Sequence, residues 1–249
     1  MIEFQQLTKT YGSFDAVNKL TMQVGRGEVF GFLGPNGAGK TTTIRMMMGI
    51  LVPSSGRVLI NGHDCHVDAT AVKRDVGYLP DNPIFYDFLR GREILQFVAE
   101  MHGLSKREAR QRSARMLDQF DLLDVAEEFA VNYSMGMKKK LGLACALIHA
   151  PAVLILDEPI NGLDPRATRD VNERLLAEAA RGTTIFVSTH LLDMAEKLCD
   201  RVGIIHRGAL VATGTGDEVR AAAATSGSLE EVFLKVTDEA AGQADRLAP

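Results

Sequence analysis

Residues 34–41 read GPNGAGKT, a GxxxxGK[ST] run. Glycines at this spacing let successive backbone N–H groups curl around phosphate oxygens, and a helix starting behind them adds positive potential. In such a loop Gly34, Pro35, Asn36, Gly37, Ala38 and Gly39 form the cradle. Lys40 reaches toward the β- and γ-phosphates, and Thr41 ligates magnesium. The alternative is a glycine-rich turn with a solvated lysine. The flanks favour the phosphate reading, because an apolar strand-like run (29–33) leads in and a helix-compatible run (42–49) leads out. A second constellation lies far downstream. The apolar run 152–156 ends in Asp157-Glu158-Pro159. In a phosphate-loop nucleotidase a strand-end Asp supports the magnesium shell. The carboxylate after it can polarise a water for attack on the γ-phosphate. Alone, an acidic pair before proline also reads as an ordinary polar turn. His190 follows another buried-looking run, 184–188. It is either a satisfied structural histidine or a side chain reaching the γ-phosphate from the C-terminal end of a parallel strand.

The elements that must position these residues are legible as short apolar runs. Residues 2–7, 20–24, 29–33, 58–60, 76–79, 153–156, 184–188 and 202–205 are mostly β-branched or Leu-rich and bounded by Gly, Pro or Asp. The later ones are almost continuously apolar, as parallel strands buried on both faces should be. Between residues 92 and 129 the period changes. Ile94, Leu95, Val98 and Met101 recur at helical spacing. Ser105 and Glu108 predict a capping box for a following helix, with Ala109, Met116 and Phe120 on its apolar side. A helical segment therefore interrupts the strand pattern. Beyond Gly214 the chain is Ala-rich, residues 229–234 (LEEVFL) suit a last docking helix, and about the final dozen residues read as a loose end.

Composition narrows the function classes. Of 249 residues 46% are hydrophobic and 24% charged, which excludes a disordered or collagen-like chain. Lys plus Arg number 28 against 32 Asp plus Glu, a net charge of -4, so the global basic footprint of a nucleic-acid binder is missing. Cys65, Cys145 and Cys199 form no CxxC and fit a reducing compartment. No signal peptide is expected from the first residues. The most apolar stretch, 141–156, is broken by His149 and Pro151 and falls short of a bilayer span. A cytoplasmic chain is expected, with any membrane role exerted through a partner.

The order of the motifs resembles that of an ATP-binding cassette (ABC) subunit. It runs from residues 34–42 through Tyr133-Ser134-Met135-Gly136-Met137, 154–159 and Asn161-Gly162-Leu163-Asp164 to His190. A phosphate loop alone would also suit kinases, GTPases or helicases, whereas this order extends from about residue 2 to residue 234. The resemblance implies an α/β fold: a phosphate-loop NTPase core with a mainly parallel sheet, an N-terminal antiparallel β part and an inserted α-helical subdomain. It implies one nucleotide-binding domain over 1–249, with core about 1–88 and 150–215, helical subdomain about 89–149 and tail about 216–249. It assigns ATP and Mg2+ as cofactors. Tyr11 is placed on the adenine, Thr42 in the phosphate loop, Asp157 at the magnesium and Glu158 as catalytic base. His190 becomes the switch histidine, and Ser134 and Gly136 cap a γ-phosphate bound on the opposite subunit. Asp164 lies in a loop crossing the dimer seam. The implied unit is a dimer, with a homodimer favoured, working with a separate membrane-spanning subunit as in exporter-type cassettes. It sits on the inner face of the cell membrane through that subunit, and no nucleic acid is expected as partner.

Two positions depart from the family pattern. The signature, usually LSGGQ, reads YSMGM, and Met135 takes φ > 0 less cheaply than the glycine it replaces. Asp81 stands where the family commonly has the glutamine of the magnesium-sensing loop, so a carboxylate there could hold metal or water with a different charge. Weaker signals surround these. Ile84, Phe85, Tyr86, Phe88 and Leu89 are either an exposed docking patch or ordinary core. Lys106, Arg107, Arg110, Arg112 and Arg115, and the second cluster at 138–140, read as solvated basic faces. Three functions share the motifs: an ATPase driving a transporter, a soluble scaffold or regulator, and a nucleic-acid cassette. The last usually needs two cassettes, a coiled coil or zinc motifs, none of which is present.

Overall fold

A computed structural model describes residues 1–225 and 227–246, with side chains described through residue 237. Contacts divide the chain into two compact units, 1–72 with 184–249, and 73–183.

The first unit opens with alternation. In β1 (Ile2–Tyr11) and β2 (Phe14–Val24), Ile2, Phe4, Leu7, Leu20, Met22 and Val24 are buried while intervening residues face outward. That is the period-2 signature of antiparallel strands wet on one side. With β4 (Ser55–Ile60) and β5 (His63–Asp64) they form a four-stranded antiparallel sheet in the order β2-β1-β4-β5. The unit's second sheet has a different logic. β3 (Val29–Leu33) and β8 (Thr184–Thr189) are buried at every position and pair in parallel. β9 (Arg201–His206) lies parallel on the other side of β3, and β10 (Ala209–Gly214) closes antiparallel on β9. Phe186 anchors this core, with ring centroids 5.8 Å from Phe30 and 5.4 Å from Phe32. The unit's helices are α1 (Lys40–Met47), α7 (Leu192–Leu198), α8 (Gly216–Ala222) and α9 (Leu229–Arg246). α2 (Ala69–Asp75) leads out of it. The predicted last helix forms, and Leu229 and Val232 are buried against Leu33, Ile204 and Val219. The backbone of α9 continues to Arg246, well beyond the LEEVFL run; residues 247–249, the end of the expected loose tail, lie outside the described residues.

The second unit holds two parallel strands, β6 (Val76–Leu79) and β7 (Val153–Asp157), and four helices: α3 (Gly91–Met101), α4 (Lys106–Gln119), α5 (Met135–Leu147) and α6 (Pro165–Ala180). The predicted capping box of α4 is present. The Glu108 N–H donates to Ser105 Oγ at 3.3 Å and the Ser105 N–H to Glu108 Oε2 at 3.0 Å. The Ser105 hydroxyl, donating to the same carboxylate at 2.6 Å, and then the Ser105 N–H hold the Glu108 carboxyl below its usual range. In α3 the buried stripe is Ile94, Leu95 and Ala99, while Met101 is 72% exposed and Phe97 50% exposed. Of the residues at helical spacing, Ile94 and Leu95 are thus buried and Val98 half-buried, while Met101, with Phe97 one turn before it, points outward. α5 lies against β6 at contact distance. A Cβ on Gly77 would sit 2.1 Å from the Ala146 carbonyl oxygen, and one on Gly142 would sit 2.6 Å from Leu79 Cδ1. Only glycine permits that approach, and it fixes where the N-terminal half of α5 points.

His102, at the end of α3, stacks on His149, just past α5, with ring centroids 3.7 Å apart and planes 9° apart. Burial, then the neighbouring His102 and Arg112, push His149 down to about 4 from an ordinary 6.5, against weaker opposition from the Val76 backbone and Asp75. The folded value lies below the unfolded one. The neutral ring's contribution is therefore complete above pH 6.5 and is lost as pH falls through about 4. The melting midpoint is expected to fall over this window, and His149→Phe to lose roughly 2–6 °C less than the parent. Scanning calorimetry of both proteins from pH 7 to 4 checks this; parallel curves would remove His149 from the account.

Candidate active site

The phosphate loop leaves β3 and ends at α1. Gly34 and Gly39 cannot carry a side chain here, because a Cβ would lie 2.5 Å from the Ile205 carbonyl oxygen and 2.4 Å from that of Ala16, respectively. Gly39 has φ 111 and Gly37 φ 81, both in the left-handed region. Gly39 occupies the N-cap of α1 and offers no side-chain acceptor, and the first turn carries no acidic residue. The helix end therefore keeps its positive potential. Lys40 is 6% exposed, and its ammonium bends back to donate to the carbonyl oxygens of Gly34 at 2.7 Å and Pro35 at 3.3 Å. A cation is fixed over the loop beside an uncapped helix start, which is the donor chemistry a polyphosphate needs. Thr41 and Thr42 follow in the first turn, and Thr43 turns inward to the Gly39 carbonyl at 2.9 Å.

Register brings His190 to the same edge. Leu33 pairs with Thr189 in parallel, so Gly34 and His190 both leave the C-terminal ends of neighbouring strands. That is where ligands gather in parallel sheets. His190 is exposed rather than packed in the core. Tyr11, at the end of β1, is 51% exposed with the Lys9 ammonium 5.2 Å from its ring centre.

The second unit repeats the arrangement with acids. Leu79 pairs with Leu156, so Asp81 and the pair Asp157-Glu158 leave one edge of β6 and β7. Asp157 is 3% exposed and Glu158 8%. Glu158 has φ 49 although proline follows it. Its carbonyl oxygen accepts from the Asn161 N–H at 3.2 Å and from Lys139 Nζ at 2.6 Å. Lys139 is 3% exposed and also pairs with Asp81 Oδ1 at 3.5 Å. Burial lowers the Lys139 ammonium's pKa, and Asp81, then Glu158 and Asp157, resist that. The sequence reading placed this lysine in a solvated basic cluster; packing of α5 on β6 puts it inside. The signal that could have found it is the acid at position 81, which needs a cation nearby once half-buried. Among the described residues no group of three or more His, Cys, Asp or Glu side chains could hold a metal.

The YSMGM segment resolves without strain. Met135 opens α5 and is not among the left-handed residues, so the missing glycine costs no backbone energy. Ser134 is the N-cap, accepting from the Met137 N–H at 3.2 Å, and Gly136 follows in the first turn. Asp164 caps α6 in the same way, accepting from the Ala167 N–H at 2.9 Å, with Pro165 as first helical residue. Tyr133 is buried and donates to the Val125 carbonyl at 2.7 Å.

A family model described as ABC transporter matches residues 17–161. The probable multidrug ABC transporter ATP-binding protein YbhF of Escherichia coli K12 is 38% identical over 95% of this chain, which spans only 41% of YbhF. The daunorubicin resistance ATP-binding protein DrrA3 of Streptomyces coeruleorubidus is 40% identical over 91% of this chain and 71% of its own length. A solved structure of an ATP binding subunit of an ABC transporter superposes with a TM-score of 0.89 at 35% identity, covering 95% of this chain and 99% of that one. The chain therefore belongs to the ABC transporter family, in the fold of its ATP-binding subunits.

Proposed function

We propose that the chain is the ATP-hydrolysing subunit of an ABC exporter whose membrane-spanning part is a separate chain. The observation that carries this reading is the buried Lys40 ammonium held over an uncapped helix start. Bound ATP would supply the phosphoanhydride and Mg2+ the positive charge that offsets the phosphates. Gly34 through Thr42 hold the phosphates, with Lys40 as the charged donor, and Tyr11 stacks on the adenine. Thr41 and Asp157, with Asp81, are the residues that would hold the metal. Glu158 accepts the proton of the attacking water, and His190 orients toward the γ-phosphate. Ser134 and Gly136 present the N-terminus of α5 to the γ-phosphate held by a second copy, and Asp164 lies at the seam. One phosphate loop and one such helix start per chain make a homodimer sandwiching two nucleotides the natural unit. Export is favoured by the relatives named for multidrug and daunorubicin resistance.

No helix among the described residues is long and apolar enough to cross a membrane. Force must then pass through a docking surface. Ile84, Tyr86 and Phe88 are 92%, 72% and 86% exposed, and a cavity of about 640 Å³ is lined by Tyr86, Asp87, Phe88, Leu89 and Phe97. Apolar rings left in water at this density mark an interaction site, and we assign it to a helix of the membrane subunit. The test is a pull-down of tagged Glu158→Gln protein with ATP from gently solubilised host membranes. Near-stoichiometric recovery of a polytopic membrane protein is expected, falling roughly 10-fold or more with Phe88→Ser added. Recovery of soluble partners alone, from well-extracted membranes, would replace this reading with that of a soluble scaffold or regulator.

A further inference from the structure

We propose that Lys139 is a positioning residue for hydrolysis, holding the Glu158 carbonyl and thereby the left-handed backbone from which the Glu158 side chain works. This rests on the reading of Glu158 as the base. A non-glycine residue at φ 49 is uncommon, and one preceding proline is more so, since the proline ring disfavours α-type conformations before it. Such a conformation persists only where its surroundings over-determine it. The surroundings here are two donors on one carbonyl oxygen, the Asn161 N–H at 3.2 Å and the Lys139 ammonium at 2.6 Å. The second is charged, short and buried, and so the stronger of the two.

The same ammonium meets Asp81 at 3.5 Å. Asp81 leaves β6 and Glu158 leaves β7 at one sheet edge, and Lys139 comes from α5, whose N-cap is Ser134. Three segments that the proposed mechanism uses are thus tied through one side chain. Asp81 in place of the family's glutamine also acquires a purpose: its charge is the largest of those that compensate the buried lysine, ahead of Glu158 and Asp157. A shift of Asp81 or of α5 would be felt at the Glu158 carbonyl, two bonds from the Cα that carries its side chain.

The test is steady-state hydrolysis and equilibrium ATP binding by Lys139→Met, Lys139→Arg, Glu158→Gln and the double variant Lys139→Met with Glu158→Gln. The expected result is a kcat roughly 10- to 100-fold lower in Lys139→Met, the scale on which a misplaced catalytic group costs rate. ATP affinity should change less than about 3-fold, and Lys139→Arg should recover most of the rate. In the Glu158→Gln background Lys139→Met should cost nothing further, because a residue acting through Glu158 has nothing left to position. An unchanged kcat in folded Lys139→Met, or an equal loss in both backgrounds, would overturn the proposal. If Lys139→Met fails to fold, Lys139→Gln, which keeps a donor without the charge, takes its place in the same cycle. Wild-type turnover by Glu158→Gln alone would instead remove the base assignment, leaving the two failures distinguishable.

Discussion

Glu158→Gln is expected to bind ATP with near-parental affinity and to hydrolyse it about 10²- to 10⁴-fold more slowly, the range a positioned general base contributes. The prediction depends on the fold surviving the change, and the local structure says that it does. Glu158 is 8% exposed, and its backbone carbonyl oxygen accepts from Lys139 and from Asn161, bonds that the substitution leaves in place. Gln keeps that carbonyl, the side-chain length and an oxygen at its tip, and loses the carboxylate's charge and with it the capacity to take a proton. Binding is expected to persist because the phosphate donors belong to another part of the chain, the loop at residues 34–41 and the start of α1. A filter assay with labelled ATP and a phosphate-release assay on the same preparation separate the two properties. With hydrolysis blocked, ATP should also convert the variant to dimers, seen as a doubled mass by light scattering. Turnover within 3-fold of the parent would mean that a group other than Glu158 takes the proton.

How much of this could be read from residues alone differs by element. β3 and β6 begin and end where their apolar runs do, because a strand buried on both faces has no polar position to blur its limits. The cap at Ser105 was legible because capping is local chemistry. β10 was not. It follows a tight turn at Arg207 and Gly208, both with positive φ, and arginine is an unusual occupant of such a turn. Its burial is also only partial, so no strong pattern marked it. In α3 periodicity found Ile94 and Leu95, which are buried, but it reports which residues are apolar, not which of them the fold leaves uncovered; Met101, and Phe97 one turn before it, face outward. Lys139 was hidden for a related reason. In sequence it is one of three consecutive lysines, and only the glycine-mediated approach of α5 to β6 distinguishes it from its neighbours. Lys138 stays partly exposed and Lys140 reaches Asp121 at 3.2 Å, so the run contains three different environments.

Lys40→Ala is the second large effect, expected on binding rather than on chemistry. Its ammonium is the one side-chain cation bonded within the loop, at 2.7 Å from the Gly34 carbonyl and 3.3 Å from that of Pro35. Hydrogen bonds to charged groups are worth about 1.5–3 kcal/mol each, so an ammonium that donated to two phosphate oxygens of bound ATP would contribute about 3–6 kcal/mol. At 1.4 kcal/mol per decade, ATP affinity should fall at least about 100-fold. The backbone donors and the start of α1 remain, so residual weak binding is expected rather than none. A confounding outcome is loss of the loop itself, because the Gly34 and Pro35 carbonyls lose their donor. Lys40→Arg resolves this. It restores a cation in the same place but cannot reproduce a point charge on a flexible stem. If the loop alone mattered, Lys40→Arg would bind like the parent; if the ammonium's contact with phosphate matters, it should recover only part of the affinity. Isothermal titration with ATP and magnesium, with melting curves for each variant, measures both terms. Parental affinity in a folded Lys40→Ala protein would mean that the loop's backbone and the helix start suffice to hold the phosphates.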